Sequence, residues 1–153
     1  MPLPLDGADM AQDTLFLEDE HPASGRLAVL EDDGTSVWLY LTESGTRQPA
    51  ADAWVYNRIA APPMEAIRSY RGGPPPAVQG YASESALCED PAAHEWSFLW
   101  SSDGEAVAIV EDGRAVAFVA IGQKGGYSRE LVKDGPWGHP WSDKLYRQKF
   151  GAA

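Results

Sequence analysis

The sequence is poor in cysteine, in long apolar runs and in basic residues. Its single cysteine, Cys88, cannot form an internal disulfide, which excludes the disulfide-stabilised class of small secreted domains and favours a reducing compartment. No run approaches the roughly 18 apolar residues that span a membrane. The first residues, MPLPLDGADMAQD, carry acidic side chains where a signal peptide needs positive charge. We therefore expect a cytoplasmic protein with no membrane partner.

The shortage of basic residues is uneven along the chain. Lysine and arginine together number 12 against 23 aspartates and glutamates, and residues 1–123 hold 6 of the basic residues but 20 of the acidic ones. An acidic surface repels the phosphates of nucleic acids, so we expect no nucleic-acid partner. The same charge attracts a basic protein at long range, and we expect a partner of that kind if the acidity serves more than solubility.

Three Asp-Gly steps, at Asp33, Asp103 and Asp112, separate apolar runs of strand length. Glycine supplies the positive φ of a tight hairpin turn and aspartate tolerates it, so each step predicts a turn between antiparallel strands. The predicted strands cover residues 26–30, 37–42, 51–59, 96–101, 105–110 and 114–121. We therefore predict a single α+β domain over residues 1–153, dominated by an antiparallel meander or sheet of five to seven strands with a short C-terminal helix.

The C-terminal helix is predicted over residues 143–150. Ser142 is a favourable N-cap, and Tyr146 and Phe150 fall on a side that can pack on the sheet. The runs between residues 96 and 121 are apolar at consecutive positions, which indicates strands covered on both faces. Two segments stand apart: we expect residues 1–14 to form a mobile tail and residues 60–93 to form a Pro/Gly-rich insertion.

The chain contains no recognisable catalytic, cofactor or metal-binding motif. It has no G-x-S-x-G, Walker A or G-x-G-x-x-G pattern. An EF-hand loop needs a glutamate six residues after its glycine, where this chain has Tyr40 and Val119. The three histidines lie far apart, and a zinc site would have to assemble them across the fold with Cys88 or carboxylates. We therefore predict no catalytic residue, no metal ligand and no cofactor.

The best candidate for recognition is the strand predicted at residues 51–59. Alternate residues of a strand share a face. The four residues that alternation places together here are Asp52, Trp54, Tyr56 and Arg58. Two aromatic rings between a carboxylate and a guanidinium make a surface that stacks and hydrogen-bonds, although the same strand would also suit packing beneath a loop.

Two further tryptophans, Trp137 and Trp141, form a second candidate binding surface. They lie among prolines and glycines within residues 124–153, which hold 6 basic residues and 3 acidic ones. Tryptophan is a frequent anchor of protein interfaces. We therefore predict an aromatic contact patch beside the basic C-terminal segment.

Five short segments of turn and strand residues follow one another between residues 28 and 129. They are EDDG, WLYL, DAWVYNR, WSSDGEAVAIVEDGRAVAFV and GGYSR, interrupted by the Pro/Gly-rich insertion. This order resembles a bacterial family of small domains of unknown function. The family pattern has Gly-Tyr where this chain has Val37-Trp38, and cysteine where it has Ser128. The shared residues belong to turns and strands, so the resemblance implies a fold and brings no catalytic residue.

Two functions remain open. The first is a non-enzymatic protein-binding module of the immunity or antitoxin kind, whose acidic body meets a basic partner. The second is a small enzyme or small-molecule binder in which Asp52 acts as a base and Arg58 holds an anion, with Tyr56 beside them. The second function requires those side chains to converge in a concave pocket, so their positions in the fold discriminate the two.

Overall fold

The computed structural model describes residues 15–71 and 74–151, so the predicted tail at residues 1–14 lies outside the described residues. Within the described ranges no helix is long and apolar enough to cross a membrane. The elements there are nine strands, one α-helix and two short 3₁₀ turns. In chain order they are β1 (Phe16–His21), β2 (Arg26–Asp32), β3 (Ser36–Thr42), β4 (Pro49–Asn57), 3₁₀ turns at Met64–Ser69 and Pro91–Ala93, β5 (Trp96–Trp100), β6 (Ala106–Glu111), β7 (Arg114–Ala120), β8 (Tyr127–Ser128), β9 (His139–Pro140) and α1 (Asp143–Phe150).

The strands form two sheets that share one apolar core. Sheet I has the order β1-β2-β3-β4 and sheet II the order β5-β6-β7-β8-β9, with antiparallel neighbours except for the short parallel pair β8-β9. The core includes side chains of both sheets that are at most 1% exposed: Leu30, Leu39, Val55, Ile109 and Val119. The predicted α+β class is confirmed. The described strands are more numerous than predicted, and they form two sheets, one before and one after the proline-rich segment between β4 and β5.

The Asp-Gly steps lie in the connections where the sequence predicts turns. Asp112 and Gly113 have φ values of 51° and 87° and form the two-residue connection between β6 and β7. Two positive φ values are typical of the turn that matches the right-handed twist of paired strands. Gly34 and Gly104 also have positive φ, in the β2–β3 and β5–β6 connections. The positive φ values that these turns require therefore account for the residues at these positions.

Helix α1 packs on the outer face of sheet II at Phe118. Ser142 caps the helix, because its hydroxyl accepts a hydrogen bond from a backbone N–H of the first turn. Phe118 of β7 is 1% exposed. Its ring packs against those of Trp141, Tyr146 and Phe150, with centroids 5.2, 5.8 and 5.9 Å away. The prediction that the strands between residues 96 and 121 are covered on both faces is confirmed for β6 and β7. It is wrong for β5, an edge strand whose Leu99 is 38% exposed.

Residues 74–88, which we call the covering segment, lie over one corner of sheet I from outside. The N–H of Asn57 donates to this segment, and the N–H of Cys88 donates back to the carbonyl of Asn57 over 2.8 Å. Apolar side chains of the segment join Trp38 and Trp54 of sheet I in a second buried cluster, which also includes Trp137. The Pro/Gly-rich insertion therefore contributes to the packing of sheet I.

Candidate functional site

The part of sheet I that the covering segment leaves open carries acidic side chains around Tyr40. The strand register places one residue of each strand in a row across it: Glu18, Val29, Tyr40 and Asp52. Leu17, Leu30, Leu39 and Ala53, each next to one of these residues along its strand, belong to the core between the sheets or pack against it, so this row lies on the outside. We call this row, together with Phe16 and Glu31, the acidic face.

A hollow of about 310 Å³ opens on the acidic face. Its lining residues are Phe16, Val29, Glu31, Tyr40, Thr42, Arg47 and Pro49. Phe16 is 55% exposed, while Tyr40 is partly buried. The hollow thus combines apolar and aromatic walls with one carboxylate, that of Glu31, and one guanidinium, that of Arg47.

The acidic face is electronegative. Burial, together with the carboxylates of Glu31 and Asp52, raises the pKa of Tyr40 well above its usual range, so the phenol stays neutral. Partial burial also raises the pKa of Asp52, although its side chain still reaches solvent. The cation that lines the hollow, Arg47, is paired with Glu18. A positive group entering the hollow would therefore relieve repulsion among carboxylates.

This arrangement suits a cationic side chain. Asp52 lies directly opposite Tyr40 on β4, and Glu31 lies diagonally from it on β2. These register positions put both Cβ atoms about 5–8 Å from that of Tyr40. The face of an aromatic ring attracts a guanidinium or ammonium group, and nearby carboxylates accept its hydrogen bonds. The acidic face can therefore hold an arginine or lysine side chain.

The four residues predicted to share one face of β4 do not share it. Trp38 opposes Trp54 and Val37 opposes Tyr56, so β4 carries one extra residue between these pairs. Such a β-bulge interrupts the alternation of period two. Asp52 stays on the outer face, whereas Tyr56 packs against the core between the sheets. The prediction of a common face is wrong for this reason.

Two of those four residues are held by partners elsewhere in the fold. The hydroxyl of Tyr56 donates to Oε1 of Glu111 over 2.5 Å. The guanidinium of Arg58 pairs with the buried carboxylate of Asp32. Neither side chain approaches the outer face on which Asp52 lies. The structure therefore does not bring Asp52, Tyr56 and Arg58 together in one pocket.

The predicted tryptophans are packed inside the protein or against it. Trp54 is fully buried, and its indole N–H donates to Oδ1 of Asn57 over 3.0 Å. Trp137 is 4% exposed and donates to a backbone carbonyl of the covering segment over 3.2 Å. Trp141 lies under the guanidinium of Arg129, whose central carbon is 3.8 Å from the ring centroid. The two tryptophans do not form the predicted aromatic contact patch, because Trp137 is buried on sheet I, whereas Trp141 is partly exposed and packs on Phe118 of sheet II.

None of the residues that line the hollow was predicted as a site residue from the sequence. Phe16, Glu31 and Tyr40 lie on three different strands, and the pairing of those strands brings them together. A local signal existed for one of them, since residues 15–17 form a short apolar run beside three acids. Register between strands is not visible in such local patterns.

Comparison with known proteins gives no identification. No family model matches the chain, and neither a curated protein nor a solved structure matches it. The resemblance to a family of small bacterial domains therefore stays a prediction, and function has to be inferred from the described residues themselves.

Proposed function

We propose that the chain is a non-enzymatic protein-binding module of the immunity or antitoxin kind, and that its acidic face holds a cationic segment of a basic partner. The observation that carries this proposal is the open hollow in which Tyr40 lies between the strands of Glu31 and Asp52. An arginine or lysine side chain of the partner would lie over the ring and pair with the two carboxylates.

The charge distribution supports a partner of this kind. Residues 1–123 hold 20 acidic and 6 basic side chains. A surface of one sign speeds association with a partner of the opposite sign, and salt weakens the effect. Long-range attraction would bring the partner to the protein, and the hollow would select a cationic side chain at short range.

The alternative, a small enzyme or small-molecule binder built on Asp52, Tyr56 and Arg58, lacks support in the geometry. Tyr56 is bound to Glu111, and Arg58 is bound to Asp32. A catalytic base and an anion-binding group must both reach one substrate. Because Asp52 lies on a different face from Tyr56, no common substrate position is available to this set.

The test compares two double variants that remove the same charge. E31Q/D52N neutralises the acidic face, and E65Q/E84Q neutralises two exposed acids elsewhere. Binding of a fluorescent oligo-arginine peptide is followed by anisotropy as the salt concentration is raised. We expect E31Q/D52N to bind about tenfold more weakly than the wild type or worse, and E65Q/E84Q to stay within about twofold. The same immobilised variants then identify the natural partner as a basic protein retained by E65Q/E84Q and lost by E31Q/D52N.

Substitutions at Tyr40 sharpen the test. Y40F keeps the aromatic ring, whereas Y40L removes it at similar size. We expect Y40F to bind the peptide like the wild type and Y40L to bind it about threefold more weakly or worse, because a cation over a ring contributes about 0.5–2 kcal/mol. Equal losses in the two double variants, or an affinity indifferent to ionic strength, would contradict the proposal.

A further inference from the structure

A second group of side chains meets where the covering segment returns towards sheet II. Cys88 ends that segment, His94 follows the 3₁₀ turn Pro91–Ala93, and Glu111 ends β6. One ligand atom from each of these three residues lies within 4.8 Å of the other two. None of the three belongs to the acidic face, so this group is independent of the proposed partner site.

The three side chains offer the donor set that zinc prefers. A thiolate, an imidazole and a carboxylate are all common zinc ligands, whereas calcium and magnesium take oxygen ligands. Ligand atoms bound to zinc at about 2.0–2.3 Å in a tetrahedron lie about 3–4 Å from one another. Nδ1 of His94 and Oε2 of Glu111 are already 3.2 Å apart. Small side-chain rotations would bring Sγ of Cys88 into the same range.

Two of the three side chains are oriented by further hydrogen bonds. The hydroxyl of Tyr56 donates to Oε1 of Glu111 over 2.5 Å, which leaves Oε2 on the side of the imidazole. Oδ2 of Asp112 lies 2.7 Å from Nδ1 of His94, while its Oδ1 accepts the N–H of Glu95 over 2.9 Å. A hydroxyl that fixes a ligating carboxylate in this way is typical of metal centres. Asp112 contacts the same nitrogen that faces Glu111, so Nδ1 of His94 would have to give up its proton and this contact to bind an ion.

The group also has room and access for an ion. It borders a cavity of about 410 Å³ lined by Tyr56, Ser85, Leu87, Cys88, Glu89, Asp90, His94 and Glu111. Cys88 is 8% exposed, whereas the imidazole of His94 is open to solvent. An ion would enter past His94, and the open side leaves a place for water. Glu89 and Asp90 add negative charge that attracts a dication.

We propose that Cys88, His94 and Glu111 bind one zinc ion through Sγ, Nδ1 and Oε2, with water in the fourth position. The ion would join the covering segment to the end of β6. Its role would be structural, because it links the segment that covers Trp54 to the opposite sheet. If the test below shows no zinc binding, the proposal for the acidic face is unaffected, because the two groups share no residue.

Zinc alone is the probe, added to the reduced, metal-free protein in the presence of a chromogenic chelator. The matched variants are H94Q and H139Q, because Nδ1 of His94 and of His139 each lie close to a carboxylate oxygen, at 2.7 and 2.8 Å. We expect the wild type and H139Q to bind one equivalent with a Kd of about 1 µM or tighter. H94Q should bind about a hundredfold more weakly, and zinc should raise the Tm of the first two proteins only.

Cobalt(II) then reports which atoms bind. The wild type should show thiolate-to-cobalt charge-transfer absorption and the visible bands of a tetrahedral site, and C88S should lose the charge-transfer absorption. Because Cys88 is buried, far-ultraviolet circular dichroism of metal-free C88S checks its folding, and E111Q provides a second ligand variant. A wild-type Kd weaker than about 100 µM, equal binding by H94Q and H139Q, or a cobalt spectrum without thiolate absorption would overturn the proposal.

Discussion

The outer faces of the two sheets carry aromatic residues at their centres but differ in what lies over them. On sheet II, Phe118 lies beneath Trp141 and the helix and is almost completely buried. On sheet I, Trp38 and Trp54 are covered, whereas Tyr40 on the same face borders an open hollow. The centre of the outer face of sheet II is therefore closed by the chain itself, although Leu99 at its edge is 38% exposed, whereas the outer face of sheet I is closed only at one corner.

The difference follows from the groups that accompany each ring. Phe118 packs against other aromatic rings, so covering it removes apolar surface from water and stabilises the fold. Tyr40 shares its face with Glu31 and Asp52, and covering these carboxylates would remove their hydration without supplying a partner. The acids thus favour an open face, and the cationic partner that we propose would be a cover that pairs with them.

The largest expected effect contrasts the closed face with the open one through two substitutions of the same kind. F118A should destabilise the protein by about 3–5 kcal/mol, because it empties a packed aromatic site. F16A removes a ring that is 55% exposed and should cost about 1 kcal/mol or less. Urea denaturation followed by circular dichroism measures both. Similar losses in the two variants would mean that the faces do not differ in packing.

The second-largest effect is expected where Asn57 holds the covering segment over the corner of sheet I. Oδ1 of Asn57 accepts hydrogen bonds from Nε1 of Trp54 and the N–H of Ala77, and its Nδ2 donates to the carbonyl of Ala77. N57A leaves these buried groups unpaired and should cost about 2–3 kcal/mol. Trypsin should also cleave faster at the exposed Arg71 beside the covering segment.

Q79A is the control for that variant. Gln79 belongs to the same segment, but its side-chain hydrogen bond to a backbone carbonyl is exposed. Its loss should change stability by about 0.5 kcal/mol or less. If N57A behaves like Q79A in both denaturation and proteolysis, the covering segment is not held by Asn57, and the closed corner has another cause.

Much of the fold could be predicted from the sequence because its signals are local. Asp-Gly turns and apolar runs locate β2, β3, β6 and β7, and Ser142 marks the start of α1. The sequence does not predict β1, since half of its residues, FLEDEH, are acidic and the strand is largely exposed. An edge strand of this kind is stabilised by hydrogen bonds to its neighbour, which no local pattern reveals. The division into two sheets likewise depends on packing between distant strands.

The candidate sites could be predicted much less well, because both depend on contacts between distant segments. A single bulge in β4 separates Asp52 from Tyr56, and one extra residue has no signature in sequence alternation. The spacing of Cys88, His94 and Glu111 matches no metal motif, and the covering segment has to fold back before they meet. Asp52 is the one residue of the predicted set that remains on the proposed binding face.

The smallest expected effect concerns Asp52 and the cost of leaving the acidic face open. Burial raises the pKa of Asp52 above its ordinary value of 3.8, so the folded state holds this proton more tightly than the unfolded state does. Protonated Asp52 favours folding at a pH below 3.8, and this contribution is lost as the pH rises through the folded-state pKa. D52N should therefore match the wild type near pH 3 and be more stable at neutral pH, by about 0.5 kcal/mol or less.

Asp103 provides the opposite case and completes the comparison. It accepts hydrogen bonds from the N–H of Glu105 and the hydroxyl of Ser101, which lower its pKa, so D103N should lose stability at neutral pH relative to pH 3. Thermal melting across this pH range measures both variants. A D52N protein that gains stability while it loses affinity for oligo-arginine would show that this carboxylate serves binding at the expense of folding. A D52N protein that loses stability at neutral pH would show that Asp52 is satisfied within the fold, and the open face would then need no partner.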